Sequence, residues 1–205
     1  MRRRLCIALL LVLCAAFPAC ADAGAPAVAF DGGTPTQRAT IRHALAASSF
    51  PWEIVPARVV IHVRAGVLPH AVPGEIWLDS HLLDAGRFSW AVVQHEFAHQ
   101  VDFFLLDDAK RATIAARLGG NGWWAARGLA FAPDGTVAHG DLTAERFAST
   151  LTWAYWPSRA NVLRPESPND ESAALPPAAF RALVASVLGV TNTGSSWQIA
   201  ESVVP

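Results

Sequence analysis

Apolar and polar positions along this chain fall into blocks whose period changes from strand-like to helix-like about a third of the way in. Leu5 to Phe17 is unbroken apolar sequence, shorter than the ~20 residues a membrane span needs. Thr34-Pro35 has the form of an N-cap followed by proline at the first helical position. It predicts a helix to about Ala47 with Ile41, Leu45 and several alanines on its buried face. Trp52 to Val63 is β-branched and aromatic but interrupted by Pro56, which predicts a strand over 57–63. Residues 64–74 carry loop-forming glycine and proline, and Glu75-Ile76-Trp77-Leu78 has the pattern of a second short strand at a sheet edge. Phe88 to Leu106 contains no glycine or proline and is expected to be a long helix. A second helix over 107–118 ends at Gly119-Gly120, and a loop holding Trp123-Trp124 follows to Gly140. Leu142 to Tyr155 is helical up to Trp156-Pro157, residues 158–175 form a polar loop, and Pro177 to Leu188 is a last helix before a tail expected to be mobile at its end. Strands early and helices late give an α+β domain.

The N-terminus is set apart by its order of charge and hydropathy. Arg2, Arg3 and Arg4 precede the apolar run, and Ala19-Cys20-Ala21 or Ala21-Asp22-Ala23 follows at cleavage spacing. This is the arrangement of a signal peptide, residues 1–21 or 1–23, and it implies an exported chain that begins near Asp22 or Gly24. Acylation of Cys20 as a lipoprotein is the less favoured alternative, because Phe17-Pro18 stand where small aliphatic residues are usual. The expected organisation is therefore a signal peptide over 1–23, a flexible leader over 24–33 and one domain over 34–205. Cys6, Cys14 and Cys20 all precede the cleavage point, so the mature chain has no disulfide to stabilise it.

Composition narrows the class. The 205 residues are 52% hydrophobic and 16% charged, enough to bury a core and unlike a disordered chain. Sixteen Lys+Arg against 17 Asp+Glu give −1, and removal of Arg2–Arg4 and Asp22 leaves −3. With no basic block beyond residue 4, nucleic acid is excluded as the main partner. No stable membrane span is expected in the mature chain.

Chemistry concentrates in His95-Glu96-Phe97-Ala98-His99. Residues i and i+4 share a helix face, so both imidazoles can reach one Zn²⁺ at about 2.0–2.1 Å. Glu96, next to the first ligand, is placed to take a proton from the water that zinc acidifies and to pass it to a leaving amine. Chance produces this pentapeptide in about one chain in a hundred of this composition. The bland alternative is a pair of surface histidines on a solvated face; a strongly apolar helix makes that costly, because two histidines and a glutamate would face a core without a partner.

A catalytic zinc site needs a third protein ligand and an open position. The extended pattern HExxHxxGxxH is not met, since Asp102 stands at its glycine and Leu105 at its third histidine, and no methionine follows the initiator. A carboxylate on a later helix is therefore expected. Glu145 heads the helix containing Phe147 and Ala148 and is the leading candidate; Glu166 and Glu171, in a polar loop, are weaker ones. Glu145 also has an ordinary reading as a first-turn acid favoured by the helix dipole.

HEFAHQVD followed by an ExFA helix resembles the Glu-ligated zincin peptidases, in particular the small anthrax-lethal-factor-like domains and the MtfA-type peptidases, over about residues 88–156. The resemblance implies a zincin-like fold with a short sheet beside the active-site helix. It also implies zinc-dependent peptide hydrolysis, with His95, His99 and Glu145 as ligands and Glu96 as general base. Two positions depart from the pattern. Ser149 stands where related enzymes often carry an acid that orients a ligand histidine; Asp102, on the same face as His95 and His99, is the expected substitute, with a local salt bridge as its alternative. His139-Gly140 replaces a Tyr-Gly, which makes His139 the expected oxyanion donor and a plain loop histidine its alternative. Tyr155 is a second candidate donor, though its place at the helix end favours packing. His43 and His62 have no partner at ligand spacing and read as structural, as do His70 and His81, whose place near the presumed edge strand also allows them to border a substrate cleft. Trp77 is either core or a wall of an edge-strand cleft. The expected function is a secreted zinc peptidase acting on peptide or protein substrates. A zinc amidase acting on cell-wall peptide, or a non-catalytic zinc-binding interaction module, are the alternatives. The intact Glu96 speaks against the last, because such a module needs the ligands but not the base.

Overall fold

The computed structural model of the chain describes residues 26–124, 138–192 and 197–199. The expected signal peptide and the three cysteines lie outside those residues, as do 125–137 of the tryptophan loop. Thr34 caps helix α1 (Pro35–Ala47) through a reciprocal pair: its hydroxyl accepts from Gln37 N–H at 3.2 Å, and Gln37 Oε1 accepts from Thr34 N–H at 2.9 Å. Ile41, Ala44 and Leu45 on its inner face are buried.

Alternation of buried and half-exposed residues gives strand β2 (Val59–Arg64), with Val59, Ile61 and Val63 inward. It lies beside two strands that composition disguised. Strand β1 (Val28–Gly32) pairs with it in parallel, Phe30 opposite Ile61. The segment expected as a leader over 24–33 is thus partly sheet: its small residues read as loop locally, and only the long-range register orders them. The segment expected as a loop over 64–74 likewise contains β3 (His70–Val72). Strand β3 pairs antiparallel with β4 (Glu75–Asp79) across Pro73-Gly74, where Gly74 takes φ 82°. Proline and a positive-φ glycine are the residues a type II corner requires.

The sheet order is β1-β2-β4-β3. The 75–78 strand is therefore interior, flanked by β2 and β3, and the edges are β3 and β1. Trp77 is outside the buried core and stacks between two imidazoles, 4.6 Å from His62 and 4.7 Å from His70.

Short helix α2 (Ser80–Asp84) leads to α3 (Trp90–Leu105), the central element of the helical layer. A 3-10 turn over Gly86–Ser89 replaces the first residues of the expected helix. Helix α4 (Asp108–Leu118) starts at the Asp107 cap and stops at Gly119, followed by α5 (Thr143–Tyr155) and α6 (Pro177–Leu188). Beyond α6, β5 (Val190–Asn192) and β6 (Trp197–Ile199) pair antiparallel; the end of the tail, expected to be mobile, lies outside the described residues. Helix α3 carries Phe97 toward the core, where it meets Trp52 edge-on at 5.3 Å; Phe147 of α5 contacts Phe180 of α6 at 6.1 Å. The whole is a mixed α and β architecture with a small mixed sheet, compatible with α+β. No helix among the described residues is long and apolar enough to cross a membrane.

Helix α3 is fastened to its neighbours by buried amides. Gln94 Nε2 donates to Ala44 O of α1 at 2.7 Å. Gln100 reaches the β3–β4 corner, donating to Val72 O (2.9 Å) and Glu75 O (3.2 Å) and accepting from Gly74 N–H (2.8 Å). Gln100→Ala orphans all three backbone groups, so a loss of about 2–3 kcal/mol is expected, read as a lowered urea midpoint with an unchanged m-value. An unchanged midpoint would show that Gln100 does not hold the edge strand.

Candidate functional site

The site forms where α3 packs on α5. Ala91 and Ala98 of α3 and Ala144, Ala148 and Ser149 of α5 are fully buried, and such small side chains let two helices approach closely. The start of α5 is fixed by the preceding loop. Thr143 N–H and Ala144 N–H donate to Gly122 O and Trp123 O, and Arg146 donates to Gly140 O (2.8 Å) and Asp141 Oδ1 (3.1 Å). Glu145, in the first turn, is thereby aimed at the polar face of α3.

His95, His99 and Glu145 come together there, all buried. His95 Nε2 stands 3.0 Å from Glu145 Oε2, His99 Nε2 stands 3.3 Å from the same oxygen, and the two imidazole nitrogens are 3.2 Å apart. Donors of one tetrahedral ion at 2.0–2.1 Å stand about 3.3 Å from one another. The triangle is therefore already the size a metal needs. Among the described residues, Glu145 Oε1 and His99 Nδ1 are buried with no hydrogen-bond partner. An orphaned carboxylate oxygen on a fully buried side chain is costly, and two imidazoles with one carboxylate are a donor set suited to a divalent ion. The three residues thus fit a metal site.

Electrostatics within the triangle run the same way. Burial by itself lowers the His99 pKa, but the charge and hydrogen bond of Glu145 outweigh it and hold it at about 9. Burial works to raise Glu145, yet His99 and His95 hold it well below the usual carboxylate range. A proton shared in this cluster occupies the role a cation would fill.

Glu96 is buried at 6% exposure and lines a cleft of about 480 Å³ whose wall includes Leu68, Val92, Leu163 and His139. Burial raises its pKa, opposed by His95 and His99, so the buried carboxyl holds a proton more readily than an exposed one. His139 lies across the opening from Glu96, with Nε2 3.4 Å from Glu145 Oε2 and Nδ1 2.7 Å from Glu171 Oε1. The Glu171 carboxylate raises its pKa against the effect of burial. His139 groups with Glu145 and Glu171 but not with His95 and His99, and His95, Glu96 and His139 all line the cleft. Trp124 closes another side, 5.3 Å from the His99 ring and stacked on Phe103 at 5.4 Å.

Other expected participants fall elsewhere. Asp102 makes no hydrogen bond to either histidine among the described residues. Its carboxylate, fully buried, accepts from Arg111 Nε at 2.7 Å and Trp123 Nε1 at 2.8 Å. It therefore ties α3 to α4 and to the tryptophan loop rather than orienting a ligand ring. The two residues that reach it lie 9 and 21 positions downstream, beyond what helix-face spacing can reveal. Asp102→Ala would strand the Trp123 N–H and a partly buried guanidinium, so a loss of about 3 kcal/mol is expected. Thermal melting checks this; a Tm within 2 °C of the wild type, against roughly 2–4 °C per kcal/mol at this size, would remove Asp102 from the structural frame. Tyr155 is core, edge-on to Phe50 at 5.0 Å, and does not line the cleft. Glu166 sits in a turn at φ 66° with its N–H held by Asp170, away from the triangle. His43 and His81 are exposed, and His70 of the edge strand lines a small pocket with Glu96 and His99.

Comparison with protein-family models, with curated proteins and with solved structures found no match.

Proposed function

We propose that this protein is an exported zinc-dependent peptidase of zincin-like fold, with His95, His99 and Glu145 as ligands and Glu96 as general base. The observation that carries the reading is the convergence of the three donor atoms at 3.0–3.3 Å beside a buried glutamate that lines a cleft. Zinc held there would act as a Lewis acid on a scissile carbonyl and make a water acidic at neutral pH.

The chain's own residues account for the rest of the reaction. Glu96, raised by burial, takes a proton from the attacking water and returns it to the amine nitrogen as the peptide C–N bond breaks. Water and an amide thereby become a carboxylate and a protonated amine with no other reactant. His139 lines the cleft with its Nδ1–H directed at Glu171, and that carboxylate raises its pKa; in its protonated form it can donate from Nε2 to the carbonyl oxygen as negative charge develops there. Leu68, Val92 and Leu163 make the neighbouring wall apolar and suit it to a hydrophobic substrate side chain. The Arg2–Ala23 pattern supports export, with the working chain beginning near Asp22 or Gly24.

The test is metal analysis of the purified protein together with cleavage of casein. One zinc per chain with cleavage lost on chelation and regained on zinc addition supports the reading. Stoichiometric zinc without turnover on any peptide library would leave a non-catalytic zinc-binding module.

A further inference from the structure

Two imidazoles on different elements share one support, and it comes from the polar loop between α5 and α6. Glu171 Oε1 accepts from His139 Nδ1–H at 2.7 Å. Glu171 Oε2 stands 3.5 Å from Ser149 Oγ, whose oxygen stands 3.1 Å from His95 Nδ1. We infer that Glu171 is the positioning residue of the site, setting the ring of His139 directly and that of His95 through the Ser149 hydroxyl. The inference rests on the zinc-hydrolase reading for its functional meaning and on these contacts for its geometry.

Proton placement follows from the donors available. A carboxylate only accepts, so the Ser149 hydroxyl hydrogen turns toward Glu171, and its lone pair accepts from His95 Nδ1–H. With the hydrogen held at Nδ1, His95 presents its Nε2 lone pair to the triangle, which is the tautomer a metal ligand needs. The same logic puts a hydrogen on His139 Nδ1. The 2.7 Å contact is a hydrogen bond and is closer than the ~3.3 Å between two donors of one tetrahedral ion, so Glu171 and His139 form a dyad rather than a ligand pair.

The loop is built to hold Glu171 there. Ala173 N–H donates to Thr150 Oγ1 at 3.1 Å, fixing the segment to a fully buried position on α5 next to Ser149. A Cβ on Gly140 would stand 3.2 Å from Glu171 Cγ, so the residue after His139 is small where the glutamate passes. Ser149 lies one helical turn beyond Glu145 and faces the same way. An acid at that position would bring its own charge to His95; serine reaches the ring but is neutral, and the charge arrives from a loop 22 residues downstream.

The experiment reads histidine ring nitrogens by long-range ¹H–¹⁵N NMR on the metal-free protein, and zinc affinity by chelator competition. In Glu171→Ala, the His95 and His139 ring signals are expected to move while those of His99 stay, with zinc affinity 10- to 100-fold weaker. Glu171→Gln keeps an acceptor for His139 and should restore its signals and part of the affinity. Ser149→Ala should move His95 alone. Unmoved His95 and His139 rings with unchanged zinc affinity in Glu171→Ala overturn the inference. Should that variant fail to fold, an unmoved His95 ring in both Ser149→Ala and Glu171→Gln does the same. A chain that binds no zinc but shows the ring shifts refutes the hydrolase reading and keeps the tie; unmoved rings in a zinc-binding, active chain refute the tie alone.

Discussion

Glu96→Gln is expected to retain zinc and fold while peptide hydrolysis falls about a thousandfold, on the order of 4 kcal/mol in the barrier. The amide is nearly isosteric with the acid, so the cleft wall of Leu68, Val92 and His139 is not disturbed. What disappears is the ability to hold a proton between the attacking water and the leaving amine. The variant should be no less stable than the wild type, because a carboxylate at 6% exposure that burial already disfavours in its ionised form is replaced by a neutral group. Zinc content, Tm and turnover on a fluorogenic peptide measured side by side check the three parts. Turnover within tenfold of wild type would remove Glu96 from the chemistry, whatever the fate of the metal.

That glutamate was visible in the sequence because its spacing is local. His95, Glu96 and His99 lie within a single turn of one helix, and a periodic motif carries its geometry with it. Helix α1 was equally readable, since the Thr34–Gln37 box is made by residues three apart. Glu145 was reachable one step further out, as the acid heading the next well-formed helix, flanked by Phe147 and Ala148, which the structure buries. The failures share the opposite character. Strand β1 has no alternation of its own and exists through pairing with β2, while β3 is three residues held by a corner turn and by Gln100 from another element. Asp102 sits on the predicted face, yet its neighbours arrive from α4 and from the tryptophan loop, so the correct face gave the wrong partner. Glu171, a weaker ligand candidate in the sequence, meets His139 and Ser149 from a loop 32 and 22 residues away from them in sequence. Side chains whose partners lie dozens of residues away are specified by packing, and packing leaves no period in a sequence. The departure at Ser149 was the one local sign that a support must come from elsewhere.

Glu145→Gln should abolish most of the stabilisation that zinc confers. In the wild type, free zinc at a thousand times Kd adds about 4 kcal/mol, which for a domain of this size raises Tm by roughly 10 °C. The glutamine oxygen carries no charge and binds zinc weakly, so affinity is expected to fall at least about a hundredfold, or about 2.7 kcal/mol. At the same zinc concentration the rise in Tm should shrink to about a third. The pH dependence separates loss of a ligand from loss of fold. In the metal-free wild type, Glu145 holds His99 at about 9, so folding takes up a proton between pH 6.5 and 9. That stabilisation is present in full below about 6.5 and is lost as pH rises through about 9. Zinc must displace the same proton, so wild-type zinc affinity should climb with pH up to about 9. In Glu145→Gln the buried His99 has no anion facing it from α5, and both the alkaline loss of metal-free stability and the steep rise of affinity should flatten. Calorimetric melts across pH 6 to 10, with and without zinc, measure all of these. A zinc-induced rise in Tm as large as the wild type's would mean that the ion sits somewhere other than the His95, His99 and Glu145 triangle.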